Sequence, residues 1–75
     1  MEFKINNEAK VQALKVVVQT YELELYKLLV RLGIDDAAFD PNEWDKEINM
    51  DTEEGKVKHY IDLINSTEQK IADLT

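Results

Sequence analysis

From Glu8 to Leu32 the chain runs 25 residues without a glycine or a proline. Its apolar residues fall at helical spacing on two different faces. Val11, Leu14, Val18, Tyr21, Leu25, Leu28 and Leu32 follow a 3-4-3-4-3-4 spacing, a heptad seam three repeats long. Val16, Gln19, Leu23, Tyr26 and Val30 make a second seam of the same period. At 3.6 residues per turn it points about 150° away from the first. Val17 and Leu29 widen the apolar surface, and 15 of the 26 residues from Glu8 to Gly33 are Ala, Val, Leu or Tyr. A helix that is apolar on two opposite faces belongs inside an assembly. Whatever the chain folds into must give this helix neighbours on both sides.

The ends of that helix are marked. Residues 1–7 alternate weakly around Phe3 and Ile5, and Asn6 or Asn7 can cap the helix at its start. Gly33 supplies the left-handed residue of a helix stop, with Ile34 placed to fold back on Leu29. Asp40-Pro41-Asn42-Glu43 is a second helix start, with Asp as cap, Pro at the first position and Glu three residues on. It predicts a short helix over 41–49 with Trp44 and Ile48 on one face. Asp51 and Glu54 have the spacing of a capping box, although Gly55 in the first turn weakens the helix there. Val57, Tyr60, Ile64, Thr67, Ile71 and Leu74 then define one seam, flanked by Ile61 and Leu63, in a helix over 52–73. The expected fold is all-α: one domain spanning 1–75, an antiparallel hairpin of two long helices (8–33 and 52–73) with a short connecting helix.

With 75 residues, one hydrophobic core supplies little stability without a staple. The chain has no cysteine, which removes disulfides, thiol nucleophiles and Cys-based metal sites. Self-association is the remaining route. The last helix covers one face of the first, and two turns of connecting helix cannot shield a seam from Val16 to Val30. The expectation is therefore a homodimer or higher oligomer, a helical bundle joined through Val16, Gln19, Leu23, Tyr26 and Val30. Gln19, the polar member, would fix register or sit at the patch edge. The competing arrangement is a monomeric three-helix bundle with the connecting helix folded over the second seam.

The formal net charge is −7, and it is unevenly placed. Residues 1–34 carry five Lys/Arg against four acids, and residues 55–75 three of each. Residues 35–54 hold nine acids against Lys46 alone, a local charge of −8. No basic patch exists to bind phosphates, and anionic membranes repel such a chain. The longest unbroken apolar runs are three residues, Val16–Val18 and Leu28–Val30 among them, far from the about 20 a membrane span needs. No basic-then-apolar leader is visible. The expected compartment is the cytoplasm, or a host cytoplasm if the chain comes from a mobile element.

Catalytic chemistry has few carriers. His59, the sole histidine, lies off the seam beside Lys58; Asp62 could bond it, as on any helix. Ser66, the sole serine, lacks a nucleophile-elbow context. Two isolated glycines make neither a phosphate loop nor a dinucleotide fingerprint. Calcium-loop registers starting at Asp36 or Asp45 fail, with Pro41 or Met50 where glycine is required. No catalytic residue, cofactor or metal ligand is assigned, and an enzyme is not expected.

The function expected is that of a small acidic structural or adaptor protein working through protein–protein contacts. Trp44 would anchor a partner or else cap a small core. Asp40, Glu43, Asp45 and Glu47 would steer a basic partner. The alternative is an inhibitor imitating nucleic acid, its acids from Asp35 to Glu54 standing in for phosphates in a Lys/Arg groove.

Overall fold

The computed structural model describes residues 3–75. It is an all-helical hairpin, with no strand among the described residues. Helix α1 spans Asn7–Leu32 and helix α2 spans Glu53–Leu74, joined by a loop with a single 3-10 turn at Pro41–Glu43. The Asn6 side chain caps α1, accepting from the Ala9 amide at 2.8 Å. Gly33, at φ 71°, ends it. The Gly33 amide donates to the Val30 carbonyl and the Ile34 amide to the Leu29 carbonyl, which is the doubly bonded glycine stop the sequence pattern indicated.

The inner seam of α1 meets the seam of α2. Leu28, Val57 and Ile61 form the densest part of the core, with Leu25, Leu32, Phe39, Trp44 and Tyr60 packed around them. All of these lie toward the loop end. Farther along, Val18 and Thr67 are buried, and Tyr21 meets Tyr60 with ring centroids 6.2 Å apart. The buried Thr67 hydroxyl donates to the Leu63 carbonyl at 2.7 Å, so it is not left unpaired. At the open end Val11, Leu14, Ile71 and Leu74 are only half-buried.

The connecting helix expected over 41–49 is replaced by one 3-10 turn, and residues 44–49 have no regular structure. The start signal operates: Asp40 accepts from the Asn42 amide at 2.9 Å, and Pro41 takes the first position. The segment then leaves the helical path at Trp44, which is extended (φ −71°, ψ 115°). Trp44 is half-buried and packs on the core, its ring edge-on to Phe39 at 5.6 Å. Phe39 precedes the cap and Trp44 is the fourth residue after it, the spacing of a hydrophobic staple. Helix initiation costs more than two further turns return in so short a segment, and the packed indole outweighs it. Ile48, expected on one face with Trp44, is 52% exposed.

The capping box expected from Asp51 and Glu54 is also displaced. Thr52 caps α2, its hydroxyl accepting from the Gly55 amide at 3.0 Å. The Asp51 amide is engaged by the Asn49 side chain at 2.9 Å. Gly55 is buried because the loop backbone at Asn49 lies against it; a Cβ built there would fall on the Asn49 backbone and 2.6 Å from its Cβ. The glycine that weakens the helix by propensity is what lets the loop close.

Candidate interaction surface

The hairpin measures 49 × 25 × 18 Å, with a radius of gyration of 14.8 Å. A compact chain of this length would have about 11 Å. Its accessible surface is 5766 Å², against about 4700 Å² for a compact monomer of the same mass. The elongated shape leaves the far side of α1 without a neighbour among the described residues.

That far side is the second seam. Val16 is 61% exposed, Leu23 63%, Tyr26 52% and Val30 59%, and Gln19 is exposed between them. Gln19, Glu22, Leu23 and Tyr26 line a shallow groove. Helical continuity brings all five expected association residues to one face. With residues 44–49 unwound and Trp44 drawn into the core, no connecting helix covers them, so the three-helix arrangement is not the one formed. On the edge of the face, Lys27 holds Glu24 at 3.2 Å, and the Thr20 hydroxyl donates to the Val16 carbonyl at 3.1 Å.

The residues expected to engage another partner divide. Trp44 turns inward as a core cap, and its indole N–H is buried without a hydrogen-bond acceptor. Asp40, Glu43, Asp45 and Glu47 stay exposed along the loop. Several acids of the −8 segment have local work: Asp35 accepts from the Ala37 amide at 3.0 Å, Asp40 caps its turn, and Glu53 lies 3.9 Å from the Arg31 guanidinium. Among the described residues no group of three or more His, Cys, Asp or Glu is placed to hold a metal ion, and no helix is long and apolar enough to cross a membrane.

The possible His59–Asp62 pair does not form. Asp62 pairs with Lys58 at 2.9 Å, and the His59 ring packs edge-on to Tyr60 at 5.2 Å. The Ser66 hydroxyl donates to the Leu63 carbonyl within its own helix.

Two apolar features are not foreshadowed by the sequence pattern. Ile48 and Met50 are exposed on the loop; Ile48 belonged to the face expected to turn inward with Trp44, and the helix that would have carried it stops early. At the open end, Ile5, Ala13, Leu14 and Leu74 form an apolar recess edged by Lys10, Lys70 and Asp73. It arises from the convergence of distant ends of the chain, which no local spacing reveals. Compared with known proteins, the chain matches no family model, no curated protein sequence and no solved structure.

Proposed function

We propose that this chain is a small structural or adaptor protein that works without catalysis, through protein–protein contacts, and that it self-associates through the outer face of α1. The observation that carries the reading is the exposure of Val16, Leu23, Tyr26 and Val30, each 52–63% in water on a single face. Together these side chains expose roughly 400 Å² per copy, the size of patch that marks an interaction site. Burying it on two copies removes roughly 800 Å² from water, a gross gain of about 20 kcal/mol at 25 cal/mol per Å². Association costs of about 4–15 kcal/mol leave a net gain of about 5–16 kcal/mol, and the middle of that range supports pairing in the micromolar range or tighter. The exposed Asp40, Glu43, Asp45 and Glu47 lie at the loop end, away from this face, and are free to steer a basic partner while the pair is intact.

Sedimentation equilibrium tests the reading. The wild-type chain is expected to sediment at low micromolar concentration with at least twice the 8.7 kDa mass of one copy. Leu23→Asp is expected to give the monomer mass while keeping a helical circular dichroism spectrum. A wild-type chain that remains monomeric at tens of micromolar refutes the proposal.

A further inference from the structure

The two ends of the hairpin differ in charge. The −8 segment, residues 35–54, lies wholly at the loop end, while the outer face of α1 runs along the side. Pairing through that face therefore has two orientations, with the loops together or apart. From the placement of charge we infer that two copies pair antiparallel, about a two-fold axis passing close to Leu23. This rests on the reading of the α1 face as a self-association surface.

In a parallel pair the two −8 segments would sit roughly 20 Å apart, two helix diameters. A screened Coulomb repulsion at that distance weakens binding on the order of fivefold at physiological salt, and far more at low salt. In the antiparallel pair the nine residues from Leu23 to Leu32 carry the end of α1 about 13 Å from the axis. The loops extend beyond that, so they lie roughly 40 Å apart, about five Debye lengths, where the repulsion vanishes.

Spacing along the face agrees. Val16 and Val30 each lie seven residues, two turns, from Leu23. An axis at Leu23 sets Val16 against Val30 of the second copy and Leu23 against itself. Tyr26 then comes beside Gln19 and Thr20 of the second copy, polar groups that its hydroxyl needs at a closing interface. Two features of the flanks oppose this orientation: the axis at Leu23 brings Glu22 of the two copies toward each other, and a parallel pair would bring Glu22 toward Lys27 of the second copy. Lys27 already holds Glu24 of its own helix at 3.2 Å, and exposed pairs contribute little. The loop charges therefore decide.

Pulsed dipolar spectroscopy reads the orientation directly. The chain has no cysteine, so Ala37→Cys, in the exposed loop, carries a single spin label. The expected result is an inter-label distance of about 40 Å or more, absent from the same label in a Leu23→Asp background. A distance near 20–25 Å that Leu23→Asp abolishes overturns the antiparallel arrangement and leaves the association face standing. A distance that survives Leu23→Asp, or no dipolar signal at tens of micromolar, overturns the face and this inference with it.

Discussion

Gly55→Ala sets two physical effects against each other, and the structure decides the sign. Gly55 is the third residue of α2. By helix propensity alone, alanine there stabilises the chain by about 1 kcal/mol. The added Cβ, however, falls on the backbone of Asn49, which is not the yielding end of a flexible side chain. Restoring ordinary contact requires the loop to move by about 1 Å, an overpacking cost of about 1–3 kcal/mol. Asn49 is also tied to the start of α2: its carbonyl accepts from the Thr52 amide at 3.2 Å, and its side chain holds the Asp51 amide. Lifting it strains the Thr52 cap, worth about 1 kcal/mol. The net expectation is a loss of about 1–3 kcal/mol. A chain of this size has a urea m-value near 1 kcal/mol per molar, so the midpoint should fall by about 1–3 M. Urea titrations at one fixed protein concentration, followed by far-ultraviolet circular dichroism and by Trp44 fluorescence, measure it. Fluorescence should also report a more solvated Trp44, because the displaced loop carries it. A Gly55→Ala midpoint equal to or above wild type would show that the loop does not rest on this helix, and the account of Gly55 would fail.

Substitutions at two further positions probe the polar groups inside the core. Thr67→Val removes a hydroxyl that bonds only within its own helix; it should be neutral or stabilise by up to about 1 kcal/mol, and a clear drop in the urea midpoint would reveal an inter-helix role for the hydroxyl. Trp44→Phe deletes the unpaired indole N–H together with part of a packed ring, and the two effects should offset to within about 1 kcal/mol, whereas Trp44→Ala should lose about 2–4 kcal/mol; equal losses for both, measured by the same urea titration, would show that the N–H is bonded after all.

The long helices are legible in the sequence because their signals are local and repeated. Three heptads of spacing, an asparagine cap and a glycine stop all describe α1, and each acts within a turn of the residue that carries it. The loop is legible only at its start. Asp40 and Pro41 announce a helix, yet the packing of Trp44 on Leu28, Val57 and Ile61 decides that it ends after one turn, and those partners lie 13 or more residues away in the chain. The pair Phe39 and Trp44 does carry a readable sign, the staple spacing around Asp40. For the outer face of α1, periodicity is enough to name its five residues. Their exposure depends on the path of the loop, which leaves them uncovered.

The two helices serve as controls for each other. They are of similar length, and each buries one seam against the other. On its outward side α2 presents Asp62, Asn65, Ser66, Glu68, Gln69 and Asp73, a polar face of the usual kind for a helix in water. The outward side of α1 presents Val16, Leu23, Tyr26 and Val30. Valine and tyrosine are weaker helix formers than the Lys, Glu or Gln that would otherwise fill such positions, and they lower solubility when exposed. Neither intrachain packing nor helix propensity accounts for them, since α2 does without. The proposed pairing would account for them, and for the excess charge sitting at the loop end. Placed there, the acids would favour solubility without standing on the surface proposed to pair.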